Sequence, residues 1–310
     1  MKKVGIIGGS GFIGSHITKR FLNEGYKVKV SATDITKEEK YQHLMQLQHA
    51  ENLHVSELNV EDKAALQDFV KDCDIVIHGG TPFKLDVENP QTELFDPTIK
   101  GTENFLEVIN ETPSIEKVVF VASVAAYNTN FPMPAGNKNP DDTFNENDTP
   151  FTSEESHPYA QAKFIANQTV EKFIKDHPQS SFEISSVSPV FVTGKSLSSR
   201  EDSTSTGMQF LFKNNIAPDP FVQMLYDTDM EFAMVDVKDV ANSIYKTATT
   251  KGLHGKNHLL SSETYPVSDI SRMLNRQMSI NKPKTVYSNN LATQELGVNF
   301  LSAEKSLHEY

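Results

Sequence analysis

The segment Gly8-Gly9-Ser10-Gly11-Phe12-Ile13-Gly14 decides the fold of this chain. It comes directly after the short apolar run of residues 4–7 and before a stretch with helical periodicity, which predicts a strand-to-helix junction. The first spaced glycine permits a tight turn, the second lets the backbone approach a pyrophosphate, and the third lets helix and strand pack closely. Backbone amides and the helix dipole stabilise negative charge at such a junction. The motif therefore predicts a dinucleotide site, with contacts from Gly8, Ser10, Gly11, Phe12, Ile13 and Gly14.

Outward from this loop, short apolar runs alternate with longer amphipathic stretches. The apolar runs are rich in Val and Ile and predict buried strands at residues 4–7, 27–31, 53–58, 74–78, 117–122 and 183–187. The stretches between them predict helices at residues 14–23, 61–71, 97–110 and 159–175. Strands that alternate with helices become parallel neighbours, because a parallel connection needs a crossover. The pattern predicts an α/β fold with a doubly wound parallel sheet.

Local signals mark the ends of two helices. Gly25 follows the first helix, where a left-handed C-terminal cap belongs. Pro158 occupies a first-turn position ahead of Tyr159, and Ser156 is the expected N-terminal cap of that helix.

Two stretches depart from the alternation. Residues 128–157 are polar and rich in Asn, Pro, Asp and Glu, which predicts a long surface loop that leads into Tyr159. After Pro189 the pattern is irregular to about Met230, before a helix at residues 237–247 and a strand at residues 257–260. We predict a dinucleotide-binding domain of residues 1–187, to which residues 236–262 return, and a smaller, interleaved substrate lobe of residues 188–235 and 263–310.

The composition restricts the partners. Lys and Arg number 29 against 41 Asp and Glu, so the net charge is −12. Such an acidic surface repels nucleic acid and anionic lipid, and we expect neither as a partner. Cys73 is the single cysteine, which excludes an internal disulfide, and the ten histidines have no metal-site spacing. Because the chain has neither a signal-like start nor an apolar run of about 18 residues, the expected location is the cytoplasm.

An acid stands where a dinucleotide would place its adenosine ribose. Asp34 lies 20 residues after Gly14, just past the second predicted strand, where a carboxylate can bind the ribose hydroxyls. It can equally be a turn residue that caps nearby amides. Lys37 or Lys40 could instead reach a 2′-phosphate. The residues alone leave these alternatives open.

The segment Tyr159-Ala160-Gln161-Ala162-Lys163 puts a phenol and an ammonium on one helix face. A phenol with a pKa of about 10 exchanges protons poorly at neutral pH, and a cation one turn away lowers that pKa. Tyr159 could then protonate a carbonyl oxygen or deprotonate an alcohol. The alternative is a helix whose Tyr packs on the core while Lys covers it. Ser123 ends a predicted strand and could hold the substrate oxygen, or could simply terminate the strand.

In their order along the chain, these residues resemble the extended short-chain dehydrogenases/reductases, a Rossmann-type superfamily that also contains nucleotide-sugar epimerases and dehydratases. Within it, the chain is most similar to the branch of dihydroflavonol reductases, cinnamoyl-CoA reductases and bacterial aldehyde or ketone reductases. The segments that carry this resemblance, besides the glycine loop and the Tyr-Lys pair, are His78-Gly79-Gly80-Thr81-Pro82, Asp96-Pro97-Thr98-Ile99-Lys100-Gly101-Thr102-Glu103-Asn104, Ser188-Pro189-Val190-Phe191-Val192-Thr193-Gly194 and Leu259-Leu260-Ser261-Ser262-Glu263.

The resemblance implies a catalytic set of Ser123, Tyr159 and Lys163, with Lys163 also bonded to the nicotinamide ribose. The other cofactor contacts that it implies, besides the glycine loop, are Thr33, Asp34, Asn59, Val60, Gly79, Gly80, Thr81, Pro189 and Val192. The cofactor is NAD or NADP. Thr33 stands where the branch usually has an Arg for the 2′-phosphate, and the position of the acid in epimerases falls on Ala32, two residues before Asp34. Neither pattern is met, so the choice of cofactor stays open, with NAD favoured. The cinnamoyl-CoA signature around Tyr159 is absent, which argues against that substrate.

The expected activity is NAD(P)-dependent reduction of an aldehyde or ketone, or oxidation of the matching alcohol, with Tyr159 as general acid/base. Three aromatic residues of the long loop, Phe131, Phe144 and Phe151, suit an apolar substrate if they line the site, and core packing is the alternative. The sequence leaves the substrate and the oligomeric state open, and it permits a homodimer.

Two rival functions remain. A nucleotide-sugar epimerase or dehydratase needs cations for a diphosphate, and between residues 195 and 232 only Lys195, Arg200 and Lys213 qualify. A non-catalytic NAD(P)-sensing protein could share the fold, although it would not need the catalytic set. Both rank below the reductase.

Overall fold

The computed structural model describes residues 1–79, 88–136, 138–139, 142–200 and 203–310. Within these ranges the strands are β1 (Lys3–Ile7), β2 (Lys27–Ala32), β3 (Leu53–Glu57), β4 (Ile75–His78), β5 (Lys117–Val121), β6 (Glu183–Pro189), β7 (Phe191–Thr193), β8 (Glu231–Asp236), β9 (Asn257–Leu260) and β10 (Glu263–Pro266). Seven of them form one sheet in the order β3-β2-β1-β4-β5-β6-β9, parallel throughout. A second sheet has the order β10-β8-β7.

The helices of the described ranges are α1 (Phe12–Asn23), α2 (Lys63–Val70), α3 (Asp96–Asn110), α4 (Pro158–Asp176), α5 (Thr204–Asn214), α6 (Pro220–Asp227), α7 (Val237–Thr249), α8 (Val267–Leu274), α9 (Asn290–Leu296) and α10 (Ala303–His308). Helices α1 and α7 pack together, whereas α2 packs on α3 and α3 on α4. None of them is long and apolar enough to cross a membrane.

Alternate residues along the central strands enter two separate cores. In β4, Ile75 and Ile77 join the core that contains Ile17 of α1 and Ile244 of α7. Val76, between them, joins the core that contains Leu66 of α2. Because successive side chains of a strand point to opposite faces, the sheet is covered by helices on both sides. The doubly wound α/β fold predicted from the sequence is confirmed.

The local predictions hold with small shifts. The predicted strands and helices agree with the observed ones to within about two residues at each end, and Gly25 has the positive φ of +78° expected after α1. The prediction of Ser156 as the N-terminal cap of α4 was wrong. His157 is the cap, and its side chain accepts the hydrogen bond from the Tyr159 amide at 3.2 Å. Ser156 is instead buried and hydrogen-bonded to Thr129, with 2.9 Å between the hydroxyl oxygens.

The region after Pro189 is not irregular. Its described residues form β7, α5 and α6 before β8 begins. The α5 sequence, Thr204–Asn214, lacks the usual amphipathic pattern. Polar Thr206 and Gln209 are buried beside Phe212, whereas Phe210 is 53% exposed. Hydrophobic periodicity fails where buried positions are polar and exposed ones apolar.

The segment between Ser123 and α4 is more than a surface loop. Its described residues form no α-helix or extended strand beyond a short turn, yet Asn128 is fully buried and donates to the Tyr287 hydroxyl at 2.9 Å. Phe144 is 2% exposed, and its amide donates to the Val286 carbonyl at 2.7 Å. The segment is therefore anchored on the C-terminal part of the chain.

Candidate functional site

The residues selected from the sequence gather at one edge of the main sheet. In a parallel sheet all carboxyl ends lie at the same edge, where ligands of open α/β folds bind. The predicted site residues that end or directly follow strands of that sheet are Gly8, Thr33, Asp34, Asn59, Val60, Gly79, Ser123 and Pro189. Gly80 and Thr81 fall outside the described residues. Val192 lies on β7 of the second sheet, where its side chain is buried in the core.

The glycine loop has the geometry of a pyrophosphate cradle. Gly8 has a φ of +78°, and its carbonyl accepts from the Gly11 amide at 3.1 Å. A Cβ atom on Gly14 would lie 2.0 Å from the Gly8 carbonyl oxygen, so no larger residue fits there. A Cβ on Gly11 would meet only that same oxygen, at 3.5 Å, which leaves its outer side open. These residues fit a dinucleotide pyrophosphate.

The end of β4 closes against this loop. Gly79 donates its amide to the Ile7 carbonyl at 2.9 Å. A Cβ on Gly79 would lie 2.2 Å from the Ile7 oxygen, so the close approach of the two strand ends requires glycine. This packing leaves the Gly8 turn exposed at the sheet edge.

Asp34 is engaged in a turn. Its Oδ1 accepts from the Thr36 amide at 3.0 Å and from the Thr36 hydroxyl at 2.6 Å, and Lys37 Nζ lies 3.5 Å from Oδ2. The hydrogen bonds from Thr36, and then the Lys37 charge, lower the pKa of Asp34. These contacts are those of a turn residue, and the role of Asp34 toward a ribose stays a prediction.

Tyr159 and Lys163 stand at the start of α4. The Lys163 ammonium lies 5.9 Å from the centre of the Tyr159 ring. Lys163 is 8% exposed, whereas Tyr159 is half-buried. The helix thus combines a half-buried tyrosine with a buried lysine one turn away.

Ser123 directly follows β5. Its Oγ accepts from the Ala125 amide at 3.2 Å and caps the short turn of Val124–Ala126. Helix α4 packs against this turn. Ser123 and Tyr159 therefore lie on touching elements at the same sheet edge, and Ser123 is half-buried.

A residue outside the predicted set adjoins Lys163. His78, at the end of β4, lines a cavity of about 30 Å³ together with Lys163, Asn167 and Ser186, which is room for about one or two waters. Burial, and then the Lys163 charge, lower the pKa of His78 to about 4, so the imidazole is neutral at pH 7. The sequence contained a cue, because a histidine at the end of an apolar strand reaches the ligand-binding edge.

The aromatic residues of the long loop divide into two groups. Phe131 contacts Phe232 and Tyr287, with ring centres 5.9 and 6.0 Å apart, and so joins the loop to the second sheet. Phe151 is partly buried against the same core. Phe144 was wrongly expected near the substrate, because its side chain belongs to the core.

Comparison with known proteins identifies the family. The model of the NAD-dependent epimerase/dehydratase family matches residues 4–261. The cinnamoyl-CoA reductase CAD2 of Medicago truncatula is 30% identical over 256 residues, which cover 80% of this chain and 74% of that protein. The anthocyanidin reductase of Arabidopsis thaliana is 28% identical, and the match covers 68% of this chain but only 62% of that protein.

The fold comparison agrees. Yeast methylglyoxal/isovaleraldehyde reductase Gre2, solved with NADPH, superposes with a TM-score of 0.78 at 23% identity and covers 99% of this chain and 96% of that one. The glycine loop, the parallel sheet and the family match together show that the chain belongs to the NAD-dependent epimerase/dehydratase family, as an NAD(P)-dependent oxidoreductase of the extended short-chain dehydrogenase/reductase type.

Proposed function

We propose that this protein reduces a small aldehyde or ketone, with Tyr159 as the general acid. The observation that carries the proposal is the pairing of Tyr159 with the sheltered ammonium of Lys163, at the sheet edge that also holds the glycine loop. The bound nicotinamide supplies a hydride to the carbonyl carbon. Tyr159 donates a proton to the carbonyl oxygen, and the Lys163 charge stabilises the phenolate that remains.

Ser123 completes the catalytic set in this proposal. Its hydroxyl stands at the end of β5, on the turn against which α4 packs. From there it donates a hydrogen bond to the carbonyl oxygen and holds it beside Tyr159. In the reverse direction the same residues remove the proton of an alcohol.

The proposed substrate side is the lobe of residues 188–235 and 263–310, and its chemistry favours an uncharged substrate. Of the lobe cations named above, Lys213 lies 5.4 Å from the centre of the Tyr310 ring, and Arg200 donates to the Lys40 carbonyl. Between residues 195 and 232 the sequence holds only three cations for a nucleotide-sugar diphosphate. Phe131 and Phe191, partly buried around Phe232, offer apolar surface instead.

The nucleotide we propose is NADPH. The sequence favoured NAD because Thr33 replaces the usual arginine, and a free Asp34 would in addition bind ribose hydroxyls and repel a 2′-phosphate. Its carboxylate is engaged by Thr36 and partly neutralised by Lys37, which weakens both effects. Gre2, which shares the fold, was solved with NADPH. Lys37, whose charge is shared with Asp34, and Lys40 both follow β2 and add positive charge where the additional phosphate would lie.

The test is nucleotide consumption with a panel of carbonyl compounds. We expect absorbance at roughly 340 nm to fall when aldehydes or ketones are added to protein and NADPH, without any nucleotide sugar. An epimerase regenerates its cofactor in each cycle and gives no net change. Stabilisation against heat by UDP- or dTDP-sugars, with no oxidation of NADPH or NADH by the panel, would replace the reductase with the epimerase or dehydratase. Nucleotide binding with neither response would point to the sensing protein.

A further inference from the structure

One arginine of the lobe reaches the nucleotide-binding region. Arg200 Nη1 donates to the Lys40 carbonyl at 3.0 Å, across 160 residues of sequence. The chain has only four arginines. Arg20 pairs with Glu24, Arg272 donates to the Met278 carbonyl, and Arg276 follows the end of α8.

Further contacts place the Arg200 segment beside α1, the helix that follows the glycine loop. His16 of α1 shares a hydrogen bond with the Lys195 carbonyl, at 3.0 Å. His43, which the Arg200 charge influences, lies 2.8 Å from the Ser15 hydroxyl. Ser15 in turn donates to the Gly11 carbonyl at 2.7 Å. Residues 195–200 therefore run along α1 from its first turns toward the segment that follows β2.

The segment after β2 is where a dinucleotide places its adenosine ribose, and an arginine near that ribose is what accommodates a 2′-phosphate. Thr33 offers no charge at the end of β2. We propose that Arg200 binds the 2′-phosphate of NADPH, so that the cation selecting the nucleotide comes from the lobe rather than from the end of β2. This inference rests on the proposed nucleotide and names the residue responsible for it.

The charges around Arg200 are compatible with this role. Asp34 is paired with Lys37, and the Glu38 and Glu39 side chains are exposed to solvent, which screens them. Burial, and then the Arg200 charge, lower the pKa of His43, which disfavours a second positive charge beside Arg200. Arg200 thus adds a guanidinium from the lobe to the segment that follows β2. A guanidinium binds phosphate through two parallel hydrogen bonds, which an ammonium cannot do.

The experiment compares nucleotides that differ only in the 2′-phosphate. Dissociation constants for NADPH and NADH, and for 2′,5′-ADP and 5′-AMP, are measured by calorimetry on wild type, Arg200→Gln and Arg200→Lys. Gln removes the charge but keeps a donor for the Lys40 carbonyl. Arg272→Gln is the matched control, because it removes a lobe arginine that also donates to a backbone carbonyl.

We expect wild type to bind 2′,5′-ADP more tightly than 5′-AMP. Arg200→Gln should weaken NADPH and 2′,5′-ADP by roughly tenfold or more while NADH and 5′-AMP change by less than about twofold, and Arg200→Lys should fall between. Arg272→Gln should change none of them. An equal loss for both nucleotides in Arg200→Gln, or no preference for 2′,5′-ADP in wild type, would overturn the assignment. Because the readout is binding, it stands apart from the reductase activity, which could persist with NADH.

Discussion

The two sheets of the molecule are stabilised in different ways. The seven-stranded sheet is covered on both faces, and its strands alternate between two apolar cores. The three-stranded sheet has a smaller core that includes Phe212 and Phe232, and buried polar groups connect it to α10. The Ser306 hydroxyl lies 2.7 Å from Thr193 Oγ1 and donates to Asp236 at 2.7 Å.

The two sheets therefore differ in how they hold the residues of the site. Apolar alternation repeats from strand to strand, so the main sheet holds the glycine loop and Tyr159 through many equivalent contacts. The second sheet combines a smaller apolar core with polar bonds between distant residues, each of which is costly to leave unmade. We therefore expect changes in the main sheet's site to affect chemistry and nucleotide binding, and changes in the lobe to affect stability and selectivity.

The largest effect is expected at Tyr159. Tyr159→Phe should lower turnover by about a hundredfold or more, the range for loss of a general acid, while NADPH affinity stays nearly intact. Lys163→Met should lose turnover and also weaken nucleotide binding, because the lysine is expected to bond the nicotinamide ribose. Single-turnover kinetics and nucleotide titrations measure both. Tyr245→Phe, on α7, is the control, and near-normal turnover in Tyr159→Phe would remove Tyr159 from the mechanism.

The next effect concerns the glycine loop. Gly14→Ala places a methyl group 2.0 Å from a backbone oxygen, so we expect a loss of roughly 1–3 kcal/mol in the free energy of unfolding and weaker nucleotide binding. Gly101→Ala is the matched control, because no atom lies within 4 Å of its Cβ position in α3. That variant should be stabilised by roughly 0.5–1 kcal/mol. Denaturant titrations measure the free energy of unfolding of both variants. Equal changes in Gly14→Ala and Gly101→Ala would contradict the close approach of Gly14 to the Gly8 carbonyl.

The smallest effect lies where α7 meets the C-terminal segment. Asp239 accepts from the Leu301 amide at 2.7 Å. Burial, and then the nearby Asp236 charge, raise the pKa of Asp239 to about 6. A carboxyl with a raised pKa binds its proton more tightly in the folded state, so its contribution to stability is largest near pH 4 and declines as pH rises to 6.

Asp239→Asn removes this titration and keeps an oxygen acceptor for Leu301. At pH 7 the variant should be more stable than wild type by roughly 2 kcal/mol, and the difference should shrink toward zero near pH 4. Urea titrations at several pH values measure it. A stability difference that does not change between pH 4 and 7 would show that Asp239 does not titrate in this range.

The two regions also differ in how far the sequence predicts them. The glycine loop and the Tyr159–Lys163 pair are local patterns, and the structure brings them to one sheet edge as expected. The α5 helix was missed because its buried face contains Gln209, which holds the Gly194 amide at 2.9 Å. The contact of Arg200 with Lys40 joins residues 160 apart, and no local pattern records such a pairing. Cofactor-contact and catalytic roles remain predictions until the variants are measured.

The most direct test of the central claim follows the hydrogen that is transferred. NADPH carrying deuterium at the transferring position of the nicotinamide ring is incubated with wild type and an aldehyde that is turned over. We predict one deuterium on the carbinol carbon of the alcohol and one NADP⁺ per alcohol formed, both lost in Tyr159→Phe. Alcohol without deuterium, or an unchanged yield in Tyr159→Phe, would contradict the proposed reductase mechanism.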